Sequence, residues 1–344
     1  MKKAIVTVIA AAAALSLSAC NLGTADGGGG NASAGGGDSV VIKVADNWAA
    51  THPMAAALDE VFKAEVEEKS GGSITIETYH SGTLGNEADL WAGVRNGTIE
   101  IVVVGTPMNQ EYSTMLISDW PWLYRDVEHA KAVWTGDVAE EVNAGFHEKS
   151  PEVEILGWGP NSARTFTSNK PLESPADFAG QKFRMPSNPI HVGLAENLGA
   201  SAQVIPLGEL FTALETGVVD GQDNGMVTVV SEGLYEVQQY VYETNHIIAT
   251  LEIIVNEAFL SGLTEEQQTI IRDAAKAASE QAWDDYIASI DEDRQFLIDE
   301  GLTVTAPSEA DREQMIEMTQ PVVDQLLADN DWAQELTDKI RAVN

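Results

Sequence analysis

The sequence is poor in cysteine and in positive charge, and each shortage excludes something. Of 344 residues one is cysteine, Cys20, so no disulfide within the chain can brace the fold. The six histidines, His52, His80, His129, His147, His191 and His246, include no pair at helical i,i+4 spacing, and with a single thiol they make no zinc-type cluster. Lysine and arginine number 19 against 54 acidic residues, a net charge of −35. Such a surface repels phosphate backbones and anionic headgroups, which excludes nucleic acid as a partner and adsorption to an acidic membrane. Beyond residue 20 no stretch is apolar enough to cross a bilayer. Internal repeats, a nucleophile elbow and paired catalytic carboxylates at a recognisable spacing are also absent, and no motif calls for a cofactor.

What is present is a chain long enough for two lobes, each with its own core. Its first 20 residues read as a targeting segment: Lys2 and Lys3, an apolar run from Ala4 to Leu17, then small residues. Leu17-Ser18-Ala19-Cys20 resembles a bacterial lipobox, which implies cleavage before Cys20 and lipid attachment to its sulfur. Residues 21–39 are rich in Gly, Ala, Ser and Asn and read as a flexible tether with an r.m.s. reach of about 25 Å. The expected picture is an exported body held near a membrane surface only by its lipid.

The folded part opens with a strand at Val40–Ala45, a helix from Pro53 through Leu58, Phe62 and Val66, and a strand at 73–79. A helix at about 87–95, closed by Asn96-Gly97, and a buried-type strand at 99–104 follow. This alternation predicts an α/β sheet covered on both faces. Trp120-Pro121-Trp122-Leu123 reads as core, with a cleft wall as the alternative, and 152–158 is a further strand. Residues 226–242 read as helical with Gly233 inside, and 247–256 as an apolar strand. Thr264-Glu265-Glu266-Gln267 is a capping box opening a helix of up to about 36 residues, about 54 Å long, enough to run between lobes. The tail from Ser308 is helical again, with Pro321 breaking or starting an element.

The chemistry lies between Arg164 and Asn224. Arg164 alternates with Phe166 and Ser168 on an extended segment, and Arg184 ends a short strand closed by Pro186. Asn188 then reads as a helix cap with Pro189 at the first helical position, so Arg184 and a helix start can converge on one anion. Residues 203–206 are extended, 209–216 helical, Val218-Val219 a strand, and Gln222, Asp223 and Asn224 a polar turn. In so acidic a chain an anion needs close, bidentate contacts, which arginine supplies better than lysine.

At these residues the chain resembles the DctP-type substrate-binding proteins of tripartite ATP-independent periplasmic (TRAP) transporters. The matching pieces are Thr167-Ser168-Asn169-Lys170, Phe183-Arg184-Met185-Pro186, Asn197-Leu198-Gly199-Ala200 and Val219-Asp220-Gly221-Gln222-Asp223-Asn224, with Tyr235-Glu236-Val237-Gln238 and Thr244-Asn245-His246. The resemblance implies an α/β, two-lobed periplasmic-binding-protein-like fold with hinge-crossing strands and a long connecting helix. It implies one lobe of 40–161 plus about 250–289, and another of 162–249 plus about 290–344. Arg184 matches the arginine that salt-bridges a ligand carboxylate, Arg164 a second arginine on that acid group, and Asn224 a side-chain hydrogen bonder. Ser187 and Asn188 follow Arg184, and Asp46 or Asn47 falls where the first strand ends in the cleft. Leu207 stands where some relatives carry phenylalanine, and Gly105-Thr106 where some relatives with acidic-sugar ligands carry a glutamate. The implied function is capture of an organic acid, a C4-dicarboxylate or sugar acid, by a monomer. Delivery to small and large TRAP membrane subunits for cation-gradient-driven uptake would follow. A ligand-sensing lipoprotein and an exported enzyme on acidic sugars are the competing readings.

Overall fold

A computed structural model describes residues 39–344 except Thr106. The targeting segment, the tether up to residue 38 and Cys20 lie outside the described residues, as does the Thr106 half of the Gly105-Thr106 pair. The strands form two sheets. The first, in the order β2-β1-β3-β10-β4, contains β1 (Val40–Ala45), β2 (Ile74–Tyr79), β3 (Ile101–Val104), β4 (Val153–Ala163) and β10 (Ile248–Asn256). β1, β2 and β3 are parallel, and β10 runs antiparallel between β3 and β4. The second, in the order β11-β9-β5-β8-β6-β7, contains β5 (Thr165–Ser168), β6 (Lys182–Met185), β7 (Ser201–Val204), β8 (Gly221–Asn224), β9 (Tyr240–Tyr242) and β11 (Thr303–Thr305). This is the expected α/β architecture of two lobes.

Two strands tie the sheets together. Arg164 alone separates β4 from β5, and residues 243–247 join β9 to β10, so both connections cross from one sheet to the other side by side. β10 is buried along its whole length, and six of its nine residues are apolar. The helix Glu265–Asp299 spans both lobes. Its Ile271, Ala274, Ala278 and Ala282 join the first lobe's core with Leu58, Phe62 and Ile253, and Leu297 joins the second lobe's core with Leu234 and Val241. The alanine face brings helix and sheet close: a Cβ on Gly157 of β4 would stand 2.3 Å from Ser279 Oγ. The expected capping box is made, with Thr264 Oγ1 accepting from the Gln267 N–H (3.2 Å) and Gln267 Oε1 from the Thr264 N–H (3.2 Å). Trp120 is core, and the last helix, Ala333–Ala342, lies beside it through Leu336 and Ile340.

Three local expectations give way. Gln222-Asp223-Asn224 are not a turn but the buried strand β8, held antiparallel to β5; Val218, read as strand, is exposed. Gly221 explains why this segment needs glycine, because a Cβ there would sit 2.1 Å from the Thr167 carbonyl oxygen and 2.7 Å from the Phe183 ring. The helix expected at 226–242 stops at Ser231: Gly233 takes φ +67°, and Tyr240–Tyr242 is recruited as a strand by β5 and β11. The helix Glu309–Asp329 runs through Pro321 instead of breaking there.

Candidate functional site

A cavity of about 190 Å³ opens between the lobes. The first lobe contributes Asn47, the start of the helix Glu87–Asn96 (Asn86 to Ala88), Pro107 and Gln110; the second contributes Arg184, Pro186, Ser187 and the turn from Val204 to Leu207. Of the residues singled out by sequence, Asn47, Arg184, Ser187 and Leu207 therefore line the cavity, while Asp46, Arg164, Asn188 and Asn224 stand behind it.

Arg184 projects from β6, where Phe183 and Met185 turn to the opposite face and pack in the second lobe's core. The side chain is 4% exposed, and Nε donates to the Ile205 carbonyl oxygen at 2.7 Å. Among the described residues the guanidinium forms no ion pair. Burial, then the nearby charge of Arg164, brings it down from 12.5 to about 10. It stays charged at neutral pH, where the nearby carboxylates of Glu87 and Asp223 favour the charged form without forming an ion pair with it.

Arg164 is placed differently. Nε donates to Asp223 Oδ1 at 2.8 Å and Nη2 to the Asp223 carbonyl oxygen, so its charge is matched within the protein. Asp223 also accepts from His191 Nδ1 (2.7 Å) and lies 3.5 Å from His246 Nε2. Burial alone would raise this carboxyl, but Arg164 and the two histidines hold it well below the usual carboxylate range. His191 is fully buried, and its Nε2 lies 3.3 Å from Asp119 Oδ1 of the first lobe, near enough for an ion pair but not aligned for a hydrogen bond. Burial and Arg164 oppose its protonation, yet the two carboxylates win and raise it. With His191 protonated, the charges of Arg164, His191, Asp119 and Asp223 cancel, and Arg184 takes no part in that network.

The remaining residues are spoken for. Asn188 is the expected cap: Oδ1 accepts from the Ile190 N–H (2.9 Å), and Nδ2 donates to Asp119 Oδ2 (2.7 Å), linking the lobes. Asn224 Nδ2 donates to Gln222 Oε1 (2.6 Å). Asp46 accepts from His80 Nδ1 (2.6 Å) and the Trp48 N–H (2.9 Å). Asn47 is the exception, since its Nδ2 donates to the Gly85 carbonyl (3.0 Å) while its buried Oδ1 has no partner among the described residues. Glu87 Oε1 accepts the Gly105 N–H at 2.8 Å. Sequence reasoning missed Glu87, Gln110, Asp119 and His191 as site-building residues. Nothing in their local pattern separates them from surface polar residues.

The arrangement suits holding an anion, and it offers no nucleophile activated by a base. The family described as "Bacterial extracellular solute-binding protein, family 7" (DctP) matches residues 44–330. The chain belongs to that family. Among solved structures, this family 7 protein is similar to a TRAP periplasmic solute-binding protein from Haemophilus influenzae with bound L-gulonate. The two share 31% identity with a TM-score of 0.85, over 89% of this chain and 100% of that one. It is also similar to a TRAP solute-binding protein from Anaerococcus prevotii with bound D-glucuronate (26% identity, TM-score 0.83, 89% of this chain and 98% of that one). A relative in sequence is the 2,3-diketo-L-gulonate-binding periplasmic protein YiaO of Escherichia coli, 30% identical over 241 residues, or 69% of this chain and 71% of that protein. The family 7 protein described here is a solute-binding component of a transport system and not an enzyme. No described helix is long and apolar enough to cross a membrane.

Proposed function

We propose that this protein captures a small monocarboxylic acid bearing several hydroxyls, an aldonate or uronate, and not a C4-dicarboxylate. The observation that carries the reading is the charge inventory of the cavity. Arg184 is the only cation among its described lining residues, and it makes no ion pair within the protein, which suits it to a ligand carboxylate. Gln110 and the Asn47 Oδ1, which has no partner among the described residues, offer acceptors for hydroxyls. A second carboxylate would find no second cation among the described lining residues, and leaving a buried charge unpaired costs several kcal/mol. The relatives crystallised with L-gulonate and D-glucuronate, each with one carboxylate and several hydroxyls, support the same choice. On this reading the acid docks on Arg184, the first lobe closes over it, and loss of water strengthens the ion pair. The loaded protein then passes the acid to TRAP membrane subunits for cation-gradient-driven uptake, working as a monomer tethered through lipidated Cys20.

A thermal-shift series on the purified protein tests the choice. D-gluconate and D-galacturonate are expected to raise the melting temperature, since a ligand at 100 times its dissociation constant stabilises by about 2.7 kcal/mol. Succinate and malate are expected to leave it unchanged. Stabilisation by the dicarboxylates alone would overturn the assignment.

A further inference from the structure

We propose that Glu232 is a positioning residue for ligand capture: without touching the ligand, its carboxylate clasps the first lobe through the backbone N–H of Ala49 and holds the cleft shut. Glu232 follows the last residue of the helix Met226–Ser231 in the second lobe, and Gly233, at φ +67°, turns the chain away behind it. Its Oε1 accepts the Ala49 N–H at 2.7 Å, across 183 residues of chain. Ala49 lies two residues beyond Asn47, which lines the cavity, so the bond joins the lobes on a loop that leads out of the cavity. Beside it Leu207, also a cavity-lining residue, packs on both lobes at once: on the first-lobe cluster that contains Trp48 and Met54, and on the second-lobe cluster that contains Leu210 and Val229.

The location separates this contact from the other bonds between the lobes. Asn188 and His191 meet Asp119 in a buried region where Ile190 and Leu194 share a core with Ile117 and Trp120. That side is held by a continuous apolar core. The Glu232 contact is half-buried and is made by one side-chain oxygen and one amide, so it can break and reform with little repacking. Burial raises the Glu232 carboxyl, the Ala49 N–H opposes the shift, and the nearby Asp46 adds to it. Asp46 is itself tied to His80 and the Trp48 N–H, so the loop carrying Ala49 is held in place from its own lobe. The clasp thus joins a rigid loop to the end of a helix.

A hydrogen bond from an amide to a carboxylate changes an equilibrium by about 10-fold when it is removed. The test uses the full chain with Cys20→Ser, spin labels at exposed Glu68→Cys and Glu215→Cys, and pulsed dipolar distance measurements without any ligand. Glu232→Ala is expected to move the interlobe distribution to longer distances. Glu232→Asp, which keeps the charge but shortens the reach, is expected to behave like Ala. Glu232→Gln, whose amide oxygen still accepts the N–H, is expected to match the wild type. The melting temperature of the ligand-free protein is expected to fall by at most a few degrees in any of the three, because the contact lies at a half-buried position outside the core. In a second measurement Glu232→Ala is expected to release bound D-galacturonate about 10-fold faster with little change in association rate, and Glu232→Gln to restore slow release. Only that second measurement depends on the acid-binding reading above, so failure of galacturonate to bind at all leaves the distance result to decide. Unchanged distances in Glu232→Ala, or opening in Glu232→Gln as large as in Ala, would overturn the clasp.

Discussion

Replacing Arg184 with methionine should push stability and affinity in opposite directions. The folded protein without ligand carries this guanidinium buried and unpaired, and the fall from 12.5 to about 10 corresponds to about 3 kcal/mol against the charged form. At any pH below about 10 the group stays protonated, so the folded state bears this penalty throughout the physiological range. Methionine retains most of the apolar stem and removes the charge. It also strips the Ile205 carbonyl of its 2.7 Å partner, which costs about 1–2 kcal/mol in return. The balance is a gain of about 1–2 kcal/mol, or a rise of about 2–4 °C in the melting temperature of the ligand-free variant. Affinity for the acid goes the other way: losing one member of a desolvated charge pair costs about 2–5 kcal/mol, roughly 30-fold to several-thousand-fold in dissociation constant. Differential scanning calorimetry without ligand and titration calorimetry with D-galacturonate read the two effects separately. A variant that melts several degrees lower while binding as tightly as the wild type would refute both the unpaired state of Arg184 and its place in the site.

Two further outcomes test the buried charges behind the cleft. Asp223→Asn removes the acid that Arg164 and His191 share, and leaving those cations unmatched should cost about 3–5 kcal/mol in urea unfolding at pH 7; a loss under 1 kcal/mol would contradict the pairing. Glu252, fully buried on β10 with Oε1 accepting from Thr250 Oγ1 (2.8 Å) and Oε2 without a partner among the described residues, has its carboxyl pushed well above 4.5 by burial. A folded-state pKa above the unfolded one gives stability that is complete below about 4.5 and declines as pH rises toward the folded value, by about 1.4 kcal/mol per pH unit. Glu252→Gln should therefore match the wild type near pH 4.5 and exceed it at pH 7.5, whereas parallel pH profiles would show that the carboxyl is ionised in the folded state.

Much of this protein was legible from sequence because the signals were local. Asn188 caps the helix that Pro189 begins, and Thr264 and Gln267 cap each other, through contacts spanning two or three residues. The apolar run at 99–104 announced a buried strand, and the Phe183-Arg184-Met185 alternation put one arginine on the face opposite two core residues. None of these depends on where the rest of the chain goes.

What the tertiary structure alone decided was which groups meet. Arg164 and Arg184 look equivalent in sequence, yet Asp223, 59 residues after Arg164, matches the first and no described carboxylate matches the second. The polar triplet Gln222-Asp223-Asn224 carries turn residues but is strand, because β5 offers a hydrogen-bonding edge and the buried side chains bond one another and Thr167. Likewise 240–242 follows β5 instead of its own helical composition. Local propensities amount to tenths of a kcal/mol per residue, whereas an unsatisfied buried strand edge or an unpaired buried charge costs several. The larger energies belong to contacts between distant parts of the chain, and those determine which arginine stays free for the ligand.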